Sequence, residues 1–168
     1  MKILETERTI LRETSETDSN FILDLLNQPS FIKYIGGRNV RTIDEARNYI
    51  ESRFIKSYRE NGFGLYIVEL RENRMPIGIC GFVKRDFLND ADIGFAFLPH
   101  YEGKGYAFES ASAAMKYGRD VLNLKRVVAF TSLNNENSIR LLEKLNFKFE
   151  KLFKLPHNNE QVKLFSSE

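Results

Sequence analysis

Cysteine occurs once in the 168 residues, as Cys80, so no intramolecular disulfide can staple the chain. Its setting, between Ile79 and Gly81 in a strand-like run, reads as core packing rather than nucleophilic chemistry. Long apolar runs are absent as well: nothing approaches the ~18 residues that span a bilayer, and Met1 to Glu7 lacks the uninterrupted apolar segment of a secretion signal. A cytoplasmic protein with no membrane partner is expected. Neither sign of charge is in excess. The 25 Lys and Arg against 23 Asp and Glu leave a net charge of +2, and the bases are interspersed with acids, which argues against a direct nucleic-acid partner. The Lys84-Arg85 pair reads as solvated surface. No Gly-x-x-x-x-Gly-Lys-Ser/Thr is present, and Gly103-Lys104-Gly105 is not followed by the third glycine of a dinucleotide fingerprint. No Ser-His-Asp order, internal repeat or linker is visible, and no metal is expected.

What is present is enough for one domain, residues 1–168. A chain of this length buries roughly 70% of its unfolded surface, and 42% hydrophobic residues with 14 Phe and 7 Tyr supply a core beneath 29% charged residues. Arg8 to Arg12 alternates like a half-buried strand, and a Ser/Thr/Asp cluster then starts a helix over Ser19 to Asn27 that Pro29 ends. Thr42-Ile43-Asp44-Glu45 is a capping box. Its helix carries Ala46, Tyr49, Ile50 and Phe54 on one face and stops before Asn61-Gly62. Strands over Gly64–Leu70, Ile77–Val83 and Asp92–Leu98 with short links predict an antiparallel meander. A helix over Ala107–Leu122 places Ala107, Ala111, Ala114 and Gly118 at helical spacing, which lets it lie close to a sheet. Arg126–Thr131 reads as a buried strand and Ile139–Leu145 as a helix, with Asn146 taking the left-handed stop. Phe147–Phe153 and Val162–Phe165 complete the sheet.

The most informative segment is DIGFAFLPHYEGKGYAFESASAAMKYG, Asp92 to Gly118, in which an apolar strand enters a glycine-rich turn that opens directly into a helix. Glycines let the backbone bend and clear side chains from its amides, and the helix adds unpaired N–H groups and the positive end of its dipole. The expected ligand is a phosphate or pyrophosphate.

Three pieces together carry a resemblance: Ile93-Gly94-Phe95-Ala96-Phe97-Leu98-Pro99, then Gly103-Lys104-Gly105-Tyr106-Ala107-Phe108-Glu109, and downstream Asn135-Glu136-Asn137-Ser138-Ile139-Arg140-Leu141-Leu142-Glu143-Lys144-Leu145-Asn146-Phe147. From about Thr6 to about Lys154 the chain resembles the GNAT superfamily of N-acetyltransferases, in particular the branch that acetylates ribosomal-protein N-termini on alanine or serine. The resemblance implies an α+β acyl-CoA N-acyltransferase fold, with a mixed, mostly antiparallel sheet of about seven strands and helices on both faces. It implies acetyl-CoA as co-substrate and acetyl transfer to a primary amine by direct attack. A protein or peptide N-terminal α-amine is the first acceptor considered, with a small amine or antibiotic as the alternative. A non-catalytic acyl-CoA-binding module is a further reading, and the chain is expected to be a monomer or homodimer.

The resemblance also distributes roles. Gly103, Lys104, Gly105, Tyr106, Ala107 and Phe108 would hold the coenzyme A pyrophosphate through backbone amides. Glu102 departs from the Gln or Arg often found there. Phe97 and Leu98 would bond the pantetheine arm where the cradle strand splays from Arg126–Thr131. Asn135 would bond a pantetheine amide, and Ser138 would lie by the thioester sulfur. Many relatives protonate the departing thiolate with a tyrosine where this chain has Leu142, so Ser138 or the low thiol pKa of about 8.5 must serve instead. Asp92, where relatives often carry Glu before Ile-Gly, is the first choice of general base, with Glu109, His100 and Asp90 as alternatives. The acceptor cleft is expected between Phe31–Arg41 and Phe153–Gln161. Both Asn135 and Ser138 are also preferred helix caps.

Overall fold

A computed structural model describes residues 1–167. Eight strands form one sheet in the order β1-β2-β3-β4-β5-β6-β8-β7. They are β1 (Lys2–Glu5), β2 (Thr9–Glu13), β3 (Leu65–Leu70), β4 (Pro76–Val83), β5 (Asp92–Phe97), β6 (Val128–Ser132), β7 (Lys148–Lys154) and β8 (Gln161–Ser166). Every neighbouring pair is antiparallel except β5 with β6. The strand beyond the expected seven is β1. Four residues ending in charge give no legible period, and it is held by register with β2, Leu4 opposite Leu11.

Helices α1 (Ser19–Leu26), α2 (Pro29–Tyr34), α3 (Ile43–Tyr49) and α4 (Lys56–Asn61) cover one face, while α5 (Tyr106–Asp120) and α6 (Glu136–Lys144) cover the other. Pro29 does not merely end α1. It opens α2 at the first helical position, where its missing N–H costs nothing. The Thr42 hydroxyl accepts the Glu45 N–H as expected, but the Glu45 carboxylate accepts from Arg41 N–H rather than from Thr42.

Between α3 and α4 the chain widens into a π-helical segment, Ile50–Ile55. The apolar positions explain the widening. Ala46, Ile50, Phe54 and Tyr58 recur every four residues, a spacing that drifts around a 3.6-residue helix and that a stretch of wider turns brings back to one face. Ala46, Ile50 and Phe54 are thereby all buried against Ile67 and Ile79 of the sheet.

On the other face α5 lies close. Ala111 and Ala114 are buried, and a Cβ at Gly118 would fall 2.8 Å from Phe82 Cζ. Asn146 takes the left-handed conformation at φ 66°, and Phe147 N–H closes back on the Leu142 carbonyl at 2.9 Å. Among the described residues no helix is long and apolar enough to cross a membrane.

Candidate active site

The two neighbours of β5 hold it very differently. Its register with β4 runs from Gly78↔Phe97 to Val83↔Asp92, whereas its register with β6 is the single pair Asp92↔Val128, backed by Val128 N–H to the Ala91 carbonyl at 3.0 Å. Beyond that point the strands part. Backbone groups of a strand alternate sides. Leu98 N–H goes to Ile77 of β4 and the Ala91 carbonyl to β6, so the N–H and C=O of Phe95 and Phe97 turn into the gap. Leu98 does not serve as expected: its N–H is given to the Ile77 carbonyl at 2.9 Å and its carbonyl receives Tyr101 N–H at 2.9 Å. The turn starting at Pro99 consumes that carbonyl.

Past Tyr101 the chain enters the cradle. Gly103 and Gly105 lie in the left-handed region at φ 72° and 87°, which glycine occupies without strain. Glu109 N–H reaches the Gly105 carbonyl at 3.0 Å, so the N–H groups of Tyr106, Ala107 and Phe108 precede the first intrahelical bond and have no helical acceptor. A Cβ at Gly105 would sit 3.1 Å from Arg8 Nη2. A side chain at Gly105 would therefore crowd the Arg8 guanidinium at the mouth of these free amides. Lys104 is exposed, with Nζ 6.0 Å from the Tyr101 ring centroid.

Arg8 and Thr6 belong to this region and were not legible as site residues. Arg8 Nε donates to Glu109 Oε1 at 2.7 Å, its backbone N–H donates to Oε2 at 2.8 Å, and Nη1 donates to the Lys104 carbonyl at 3.1 Å. The guanidinium carbon lies 4.4 Å from the Tyr106 ring centroid, and the Thr6 hydroxyl also donates to Glu109. Burial alone would raise the Glu109 carboxyl, but the hydrogen bonds from Thr6 and Arg8 outweigh it and hold the pKa below the ordinary value. Glu109 is therefore a tether of the cradle rather than a free base.

At the other end of the gap, Asn135 caps α6 by accepting Ser138 N–H on Oδ1 at 3.3 Å. The cap uses the amide of Ser138, not its hydroxyl. Ser132 Oγ donates to the Tyr34 carbonyl at 2.7 Å, joining the α2 end of the Phe31–Arg41 segment to β6. Leu142 is fully buried in the core.

Asp92 sits where β5 and β6 still touch, 2% exposed, with Oδ2 2.5 Å from Arg85 Nε. Burial pushes its carboxyl up and Arg85 partly offsets this. Arg85 in turn lies 5.0 Å from the Phe130 ring centroid. The other candidate bases lie elsewhere. Asp90 pairs with Arg126 at 3.1 Å, and His100 is exposed, edge-on to Tyr101. The Cys80 thiol, fully buried, is pushed up to about 12, so no thiolate is available for an acyl-enzyme. Among the described residues no group of His, Cys, Asp or Glu could hold a metal ion.

The arrangement is one known from other proteins. Residues 8–148 match the family model described as an Acetyltransferase (GNAT) domain. The uncharacterized N-acetyltransferase YoaA of Bacillus subtilis is 32% identical over 149 residues, covering 88% of this chain and 84% of that protein. A spermidine N(1)-acetyltransferase of Vibrio cholerae is 23% identical over 138 residues, 82% of this chain and 77% of that protein. The fold superimposes on RimL, a ribosomal-protein alpha-N-acetyltransferase solved in complex with coenzyme A. The TM-score is 0.79 and the identity 17%, with 99% of this chain and 97% of that one covered. The chain therefore belongs to the GNAT acetyltransferases and is an acetyl-CoA-dependent N-acetyltransferase.

Proposed function

We propose that the acceptor is the α-amine of a protein or peptide N-terminus, attacked onto the thioester without an acyl-enzyme. The observation that carries the placement of the co-substrate is the single bridge between β5 and β6. It leaves the backbone of Phe95 and Phe97 facing a gap that an extended, amide-bearing arm completes like a missing strand. The amides of Gly103 to Phe108 hold the pyrophosphate, and Lys104 adds charge from the loop. The Asn135 side chain, whose oxygen already caps α6, keeps its amide hydrogens for the arm. The Ser138 hydroxyl stands near the sulfur and assists thiolate departure. The thioester supplies the activated acetyl group, and orientation of the amine against it carries most of the rate.

Asp92 shares a sheet face with Ala96 and Leu98, which pack against the α1–α3 cluster. That is the side of the expected acceptor walls. Burial raises its carboxyl above the ordinary value, which makes it a better proton acceptor than an exposed aspartate, acting through water. The charges on that side favour an α-amine over a polyamine. Arg38 lies 5.8 Å from the Phe31 centroid and Lys33 lies 4.9 Å from the Tyr34 centroid, whereas Arg85 is neutralised by Asp92. A cationic rim repels a second and third ammonium. The spermidine N(1)-acetyltransferase relative keeps a polyamine as the second reading. Thiol release from acetyl-CoA, measured with short peptides bearing free N-termini, their N-blocked lysine-containing counterparts and spermidine, decides between them. Release with spermidine alone would overturn the α-amine assignment.

A further inference from the structure

Among the described residues one buried side-chain polar atom has no hydrogen-bond partner, the hydroxyl of Thr131. Thr131 is 8% exposed and is the penultimate residue of β6. It shares a face with Val127 and Ala129, which belong to the core beneath α5 and α6. It also lies three residues past Val128, the only β6 position paired with β5. The hydroxyl is therefore in the parted section of the two strands, on the face that α5 and α6 cover. Its main chain is in register with Lys163 of β8, so the sheet itself is satisfied there and only the side chain is orphaned. Valine has the same shape and would leave nothing unpaired, so a hydroxyl here is unfavourable for the free protein.

We infer that the Thr131 hydroxyl is a positioning group for the co-substrate, hydrogen-bonding an amide of the pantetheine arm. This rests on the arm lying between β5 and β6. It concerns a residue outside the Asn135–Ser138 pair and acts from the opposite strand to Phe97.

The test is Thr131→Val and Thr131→Ser, with coenzyme A binding followed by calorimetry and the melting temperature of the free protein measured alongside. Thr131→Val is expected to melt at the wild-type temperature or above and to bind coenzyme A on the order of tenfold more weakly. Thr131→Ser is expected to bind close to wild type. Adenosine 3′,5′-bisphosphate, which lacks the arm, is expected to bind both variants equally. A Thr131→Val protein that melts lower and binds coenzyme A as wild type does would overturn the inference and make the hydroxyl structural. Equal weakening toward coenzyme A and the bisphosphate would also overturn it, by placing the effect away from the arm. If the wild-type protein itself fails to bind coenzyme A, the reading of the β5–β6 gap falls first, independently of Thr131.

Discussion

The cradle and the gap beside it are built on opposite plans. Around the cradle, a carboxylate at Glu109 is reached by Thr6 and twice by Arg8, and Arg8 also ties down the Lys104 carbonyl. The link between β1 and β2 and the first turn of α5 are thereby locked together before any ligand arrives. Across the gap, β5 and β6 share one bridge, leaving the Phe95 and Phe97 backbone unpaired on that side. Backbone amides that must converge on a compact anion gain from being fixed beforehand, since ordering them at binding would cost affinity. A slot for a long arm gains from the reverse, because unpaired strand groups give the arm its hydrogen bonds.

The largest effect should come from disturbing the fixed side. In Gly105→Val a β-branched residue is forced to φ near 87° and its Cβ is placed 3.1 Å from Arg8 Nη2, a strain on the order of 1–3 kcal/mol. We expect acetyl-CoA binding to weaken by about 100-fold or more while circular dichroism shows a folded protein. Unchanged affinity in the folded variant would place the pyrophosphate elsewhere.

Next in size is Asp92, the proposed base at the closed end of the gap. Asp92→Asn is expected to lower turnover of an α-amine peptide by about tenfold to a hundredfold, with coenzyme A affinity retained. An α-amine with pKa near 8 is already about a quarter neutral at pH 7.5, so raising the pH should recover part of the loss. The stability of the two proteins carries a second sign. Burial raises the Asp92 carboxyl above its ordinary 3.8, so its contribution to stability is fully present below that value and is lost as pH rises through the raised one. Asparagine mimics the protonated form and removes this dependence. Superimposable pH–rate profiles would leave Asp92 only as the partner of Arg85.

Ser138→Ala is a smaller change and a clean one. The α6 cap runs from Ser138 N–H to Asn135 Oδ1, so alanine keeps the cap and removes only the hydroxyl. Turnover is expected to fall about fivefold to tenfold with the melting temperature unchanged. Asn135→Ala, by contrast, should cost about 1 kcal/mol of stability through the lost cap. A Ser138→Ala enzyme with wild-type turnover would exclude the hydroxyl from thiolate departure.

These contrasts also explain what the sequence could and could not disclose. The cradle was legible because its determinants are contiguous: two glycines needing positive φ, then a helix start. The long strands, α5 and the Asn146 stop were legible for the same reason. Arg8 and Thr6 were not, because their partner Glu109 lies about a hundred positions away and a lone arginine at a strand start looks like any surface charge. The bonding of Leu98 to Ile77 is not legible, because hydrogen-bond alternation depends on the strand register, which no local pattern encodes. The four-residue spacing of Ala46, Ile50, Phe54 and Tyr58 was in plain view, but the π-helical turn it requires shows only once the core is formed. Thr131 was hidden within an ordinary β-branched run.

The smallest expected effect tests whether the fixed plan of the cradle matters at all. Glu109→Gln preserves shape while removing the charge that Arg8 and Thr6 meet. Arg8 is nearly half exposed, so solvent screening limits the stability loss to about 0.5–1 kcal/mol, and coenzyme A affinity should fall only a few-fold. Because the carboxyl is held below its ordinary 4.5, the stabilisation is present above that value and is lost as pH falls through the lowered one. The wild type should therefore unfold at higher urea than Glu109→Gln at pH 7, and the two midpoints should converge as the pH falls below 4.5 through the lowered pKa. A gap between the midpoints that persists undiminished into acid would mean that the variant acts through packing. A variant with unaltered coenzyme A affinity would show that the cradle holds its shape without the Arg8 tether, so that the glycine turn alone separates the fixed half of the site from the open one.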